Sequence, residues 1–300
     1  MQKYKAIDRL LNRISLTGER ELARAYAVSL KEIRSLIALA FEKYGGDFAE
    51  MQKYGRLSRL EKSIAIELGK LSSRSVIATR KAIATTYSQS YYTTGWFVET
   101  GVQNRLGFGL LNKESVKAAI YGPFKWNESV REHTKILNRQ IRSSITQGLI
   151  QGKSYQQIAR DIREPVEKSA YKAMRIIRTE THRVQIQGRL DALDKAEDAG
   201  VEFGLQWIAT LDERTRDTHQ EMDKQMAEKI DGEFWFTLPS GIKTTGPGLS
   251  GDPAEDINCR CSAIPVIEGF TSQRRANVGG KSEIVDDMSY KEWAKLKGID

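Results

Sequence analysis

The chain has 300 residues, of which 40% are hydrophobic and 29% charged, with a formal net charge of +8. That is enough apolar material for a buried core in two or three compact units, which excludes a wholly disordered protein. No run of about 18 apolar residues occurs, so no membrane-spanning helix is expected, and Met1-Gln2-Lys3-Tyr4-Lys5 lacks the apolar core of a secretion signal, so folding in a cytoplasm is expected.

The charge is unevenly spread. Positions 1–200 hold 35 basic and 21 acidic residues, whereas positions 201–300 hold 12 and 18. A basic front suits a polyanion or an acidic partner; long helices with solvated Lys and Arg faces would show the same excess, and both readings stand.

The N-terminal stretch reads as helix. Leu22, Tyr26, Leu30, Ile33, Ile37, Phe41 and Tyr44 step by three or four positions and form one apolar stripe, which Gly45-Gly46 ends. Leu57, Leu60, Ile64, Leu68 and Leu71 open a second helix that runs on through Val76, Ile83 and Tyr87, and antiparallel pairing would bury both stripes. This helix is expected to give way near Tyr91-Tyr92-Thr93-Thr94-Gly95-Trp96-Phe97, where the rings plug the end of a helical bundle or, as the less favoured reading, offer a platform for nucleic-acid bases or a partner protein. Ser154 with Gln157 makes a capping box that starts a short helix at Tyr155, and Pro165 opens a longer one over Val166 to Asp198, closed by Gly200.

After Gly200 the texture changes. Val201 to Thr210, Phe234 to Leu238 and Cys259 to Ile264 read as strands, Thr215 to Lys229 as a helix, and Ser240 to Asp256 as a long Gly/Pro loop. The fold class is therefore α+β: a long helical N-terminal two-thirds followed by a small α+β module. The expected segments are a basic helical domain at 1–122, a further helical segment at 123–200, the module at 201–268 and a loose tail at 269–300, with a short amphipathic piece around Trp293 and Leu296.

The only two cysteines, Cys259 and Cys261, fall in the module with His219, one of three histidines. On an extended strand both sulfurs would share a face, with Arg260 pointing outward, and His219 would complete three soft ligands suited to zinc. A fourth ligand would have to come from Asp212, Asp217, Asp223, His133 or His182. The favoured alternative is two buried thiols acting as small hydrophobes with His219 hydrogen-bonded nearby. A third reading is a Cys/His nucleophile oriented by Asp212, but no glycine-rich turn precedes either cysteine, and phosphate-loop, H-E-x-x-H and G-x-S-x-G signatures are absent. Asp212, Arg214, Arg216 and Asp217 also suit mutual pairing at a strand-to-helix corner.

Five separated elements occur in a telling order: Arg178-Thr179-Glu180 in a long helix, Ala199-Gly200-Val201, Trp207 with Asp212, Arg214 and His219, Asn258-Cys259-Arg260-Cys261, and Pro265-Val266. From about Ile145 to Val266 the chain resembles the minor head proteins of tailed bacteriophages related to the Mu F protein. The resemblance implies a virion protein, made in the host cytoplasm, that serves head morphogenesis near the portal, touches portal protein and capsid subunits, and meets viral double-stranded DNA without reading its sequence. It implies no enzyme and no membrane. The positions it singles out are Arg178, Thr179, Glu180, Trp207, Asp212, Arg214, His219, Asn258, Cys259 and Cys261. Some similar proteins carry Cys-x-x-Cys where this chain has Arg216-Asp217-Thr218-His219; this chain departs at Arg216 and keeps a ligand type at His219. No cofactor is expected apart from zinc at His219, Cys259 and Cys261, and the rival function is a zinc- or cysteine-dependent hydrolase using that cluster.

Overall fold

The computed structural model describes residues 2–102, 106–108, 111–122, 125–267, 274–278 and 281–285. Its helices are α1 (Gln2–Tyr44), α2 (Phe48–Gln52), α3 (Arg56–Val102), α4 (Lys113–Ile120), α5 (Trp126–Ile150), α6 (Tyr155–Asp161), α7 (Arg163–Asp198), α8 (Asp217–Glu221) and α9 (Pro253–Asp256). The strands are β1 (Gly204–Ile208), β2 (Glu228–Ile230), β3 (Glu233–Thr237), β4 (Lys243–Thr244), β5 (Ser262–Val266), β6 (Arg274–Val278) and β7 (Lys281–Val285). The fold is α+β, with long helices first and small sheets after them. Among the described residues no helix is long and apolar enough to cross a membrane.

Two compact units emerge, one built from residues 1–14, 83–123 and 179–300, the other from 15–82 and 124–178. Both units combine stretches that are distant in sequence, with changes at 14/15, 82/83, 123/124 and 178/179. Helices of more than forty residues outlast any single core, so α1 and α3 each supply residues to both units.

The unit of 15–82 and 124–178 is all helical. The stripe Leu22, Tyr26, Ile33, Ile37 on α1 and the stripe Leu57, Leu60, Ile64, Leu68, Leu71 on α3 share one core with Leu137, Ile141 and Ile145 of α5 and Ile177 of α7. Ser29 donates to Glu67 and Lys81 pairs with Glu21, so α1 and α3 run antiparallel. Gly45 and Gly46 both take φ +71°, a left-handed backbone that ends α1 where the glycines predict. Both halves of the Ser154/Gln157 capping box form at the start of α6.

In the unit of 1–14, 83–123 and 179–300, the ends of α3 and α7 cover two small antiparallel sheets, β1-β5 and β2-β3-β4. Trp207 lies opposite Ala263 in the β1-β5 ladder, and the core gathers Val98, Ile186, Leu190, Leu193, Leu205, Trp207, Phe236, Leu238 and both cysteines. Gly188 lets α7 lie backbone to backbone against α3: a Cβ there would stand 2.6 Å from the Tyr87 carbonyl oxygen.

Several expectations are corrected. Helix α3 does not give way at Tyr91–Phe97 but continues to Val102, because Tyr91, Thr94 and Val98 supply a buried face and the Phe108 ring closes over Gly95. The helix expected over Thr215 to Lys229 shrinks to α8, since Lys224 takes φ +64° and residues 224–227 bond to β1 through Lys224 N to Trp207 O and Ala227 N to Leu205 O. The final strand starts at Ser262, so neither cysteine lies on it. The loop over Ser240 to Asp256 contains β4 and α9. The tail, expected to be loose, contains the β6-β7 hairpin, whose two strands pair from Arg274↔Val285 to Val278↔Lys281. The amphipathic piece around Trp293 and Leu296 lies outside the described residues.

Candidate functional site

Three short segments converge beneath β1: the corner after β1, helix α8, and the turn between α9 and β5. Asp212 shapes the corner. Its carboxylate accepts from the Arg214 amide at 2.9 Å and from the Thr215 hydroxyl, and it grips the Arg260 guanidinium through two hydrogen bonds, one of them 2.7 Å. Burial works against the charged form of Asp212, yet Arg260's hydrogen bonds and charge outweigh it and hold the carboxyl below the usual carboxylate range. Thr210 adds a second tie, its hydroxyl donating to the Arg260 carbonyl at 2.7 Å.

The turn before β5 is set by α9. Asp252 caps that helix through the Ala254 amide, and Asp256 accepts from the Ser250 and Gly251 amides and the Ser250 hydroxyl. Asn258 then takes φ +57°, a left-handed conformation that asparagine tolerates, and its N–H donates to the Thr179 hydroxyl of α7 at 3.3 Å. The next residues carry both sulfurs inward.

His219 on α8 receives them. Its Nδ1 lies 3.4 Å from the Cys261 Sγ and 3.7 Å from the Cys259 Sγ, while its Nε2 lies 3.0 Å from the Glu255 carboxylate. Glu255 also accepts from the Thr218 hydroxyl at 3.1 Å. Trp207 meets the imidazole edge to face at 5.5 Å and Phe236 at 5.3 Å, sealing the group from the core side. His219, Cys259 and Cys261 are only 2%, 4% and 3% exposed. The two thiols are coupled: contact with Cys261, with burial, pushes Cys259 well up, whereas contact with Cys259 draws Cys261 well down against its burial, with His219 adding to the pull.

The structure thus brings Trp207, Asp212, His219, Asn258, Cys259 and Cys261 into one region, with Thr179 touching its edge. Glu180 is buried and salt-bridged to Arg183 at 2.9 Å, and Arg183 also donates to the Ala119 carbonyl, so this carboxylate anchors α7. Burial pushes the Glu180 carboxyl upward against the pull of Arg183. Arg178 pairs instead with Glu19 in the helical unit, whereas Arg214, with a side chain 80% exposed, reaches the Asp212 carboxylate at 3.9 Å. Arg260 is exposed between the two buried cysteines, as alternation suggests, and from there it completes the Asp212 corner. None of Asp212, Asp217, Asp223, His133 or His182 joins the sulfur–imidazole group among the described residues. Asp223 accepts the Ala209 amide at 2.8 Å, and burial pushes the His182 ring down to about 4.

Glu255 and Arg260 are the residues that sequence reasoning missed. Asp252-Pro253-Ala254-Glu255 is a helix-start pattern, with an N-cap, a proline in the first turn and an acidic residue three places on, and it marks α9 inside what reads as loop.

The family described as Phage Mu protein F like protein matches residues 139–264, a span that includes every residue of this site. Along 99% of this chain and 98% of the relative, the sequence is 30% identical to Minor head protein GP7 of Bacillus phage SPP1. The chain belongs to the phage Mu F-like family of minor head proteins. This Mu F-like chain is also 30% identical, over 92% of its own length, to NAD(+)--arginine ADP-ribosyltransferase EFV of Enterococcus faecalis, but it spans only 56% of that protein. An uncharacterized protein of Haemophilus influenzae is 26% identical over 57% of the Mu F-like chain. No solved structure matches it.

Proposed function

We propose that this chain is a minor head protein of a tailed phage, acting in head assembly at the portal vertex, in contact with portal and capsid subunits and with packaged double-stranded DNA. The observation that carries this reading is the chain-long identity to Minor head protein GP7. The site supports a structural role in it: a nucleophile must meet a substrate, whereas both sulfurs and the imidazole are enclosed by Trp207, Phe236 and the β1-β5 ladder. The hydrolase reading is accordingly set aside. Contact with DNA rests on the basic excess of positions 1–200, whose phosphate contacts would be indifferent to sequence.

The protein would assemble in the host cytoplasm and remain in the virion. The test is mass spectrometry of gradient-purified heads and virions from cells producing the phage that encodes this chain. Co-sedimentation of the chain with heads at low copy number is expected, and heads that form normally and never contain it would end the proposal.

A further inference from the structure

We propose that His219, Cys259 and Cys261 bind a zinc-class divalent cation, which ties α8 to the turn between α9 and β5. The inference goes beyond the role in head assembly and stands on the side-chain geometry. A tetrahedral zinc with Zn–S of about 2.3 Å and Zn–N of about 2.0–2.1 Å sets its sulfur and nitrogen ligands roughly 3.5–3.6 Å apart. The two observed separations from Nδ1, 3.4 Å and 3.7 Å, bracket that edge length. All three ligand atoms lie within 4.8 Å of one another and all three residues are buried.

The imidazole is also prepared for a metal. Its Nε2 faces the buried Glu255 carboxylate at 3.0 Å, which accepts a hydrogen bond and so fixes the proton on that nitrogen. The Nδ1 lone pair is thereby left facing both sulfurs. A ligating histidine whose other ring N–H is held by a carboxylate is a recurring support for zinc, and it raises the basicity of the ligand. Two thiolates would balance a dication, and the Arg216 guanidinium, tied to the Ile257 carbonyl, lies near enough to act on Cys259. The scaffold is fixed by contacts independent of the sulfurs: the left-handed Asn258, the Cys259 N–H bond to the Asp256 carbonyl at 3.1 Å, and the Thr210 hydroxyl on the Arg260 carbonyl. Three protein ligands leave one coordination position that no His, Cys, Asp or Glu among the described residues fills. Trp207 Nε1, a buried donor with no hydrogen-bond partner among the described residues, belongs to the ring packed against His219.

Two thiols merely hydrogen-bonded to an imidazole would give similar distances, so the experiment must read the metal itself. The full chain, purified under reducing conditions, is equilibrated with zinc, freed of excess and analysed by mass spectrometry for bound metal; a parallel sample receives cobalt(II). Stoichiometric zinc and a sulfur-to-cobalt charge-transfer band are expected in the wild type, with both lost in Cys259→Ser and Cys261→Ser. Glu255→Gln, which leaves all three ligands in place, is expected to weaken zinc binding roughly 10–100-fold. Circular dichroism on each variant separates loss of a ligand from loss of fold. A folded wild type with neither stoichiometric zinc nor the cobalt band overturns the proposal, as does full zinc retention in a folded Cys259→Ser/Cys261→Ser double variant. Neither result bears on whether the chain is found in phage heads.

Discussion

A methyl group at position 188 separates two opposing effects. In an unhindered helix, Gly→Ala gains about 1 kcal/mol because alanine orders more cheaply. At Gly188 the new Cβ would stand 2.6 Å from the Tyr87 carbonyl oxygen and 3.3 Å from the Tyr91 amide nitrogen, where ordinary contact begins at 3.4 Å. Those are backbone atoms of α3 that no rotamer change can clear, so the two helices must part. A gap of about 0.5–1 Å forfeits a quarter to a half of each dispersion contact across it, and overpacking of this kind costs about 1–3 kcal/mol. The same movement loosens the hydrogen bonds from Tyr87 to Asp191 and from Ser90 to the Gln185 carbonyl, which contribute about 1 kcal/mol each. Subtracting the helix gain, Gly188→Ala should lose about 2 kcal/mol. Urea unfolding followed by tryptophan fluorescence in a Trp126→Phe background reads the relevant unit, since Trp96, Trp207 and Trp235 belong to it and Trp126 to the other. Gly69→Ala on α3, a helical glycine with nothing within 4 Å of its Cβ position, is the unhindered control and should gain up to about 1 kcal/mol by calorimetry. A Gly188→Ala protein as stable as the wild type would refute the close approach of α3 and α7.

Trp207→Ala should cost about 3–5 kcal/mol, because the ring is 1% exposed and packs on both His219 and Phe236; a fall in stability below about 1 kcal/mol would mean that the tryptophan does not seal the site. Asp212→Asn should lower stability by roughly 2 kcal/mol at neutral pH, a figure reduced for the partial exposure of Arg260. Because the folded Asp212 carboxyl lies below its unfolded value, its contribution is complete above the unfolded pKa and disappears as pH falls through the lower folded value. The difference between Asp212→Asn and wild type should therefore shrink in acid, and a gap that persists undiminished there contradicts the Arg260 pairing. Affinity for a random-sequence duplex should fall steeply with salt if the basic residues of positions 1–200 meet phosphates, whereas a flat response in fluorescence anisotropy would remove DNA from the list of partners.

Periodicity and end signals alone determined the long helices. The stripes on α1 and α3, the paired glycines after Tyr44 and the capping box at Ser154 act within a few residues, so their consequences are local and legible in order. The gathering of His219 with Cys259 and Cys261 was visible as a concentration of rare residue types, but not its geometry. Only tertiary structure decided that Arg260 turns back onto Asp212, that Glu255 holds the imidazole, and that residues 224–227 leave a helical pattern to bond with β1. Each of those outcomes joins groups brought together by the fold or satisfies a backbone amide that burial would otherwise leave unpaired. The two-unit division was likewise beyond local reading, because α1, α3 and α7 carry apolar faces without a break while the cores they serve change along their length.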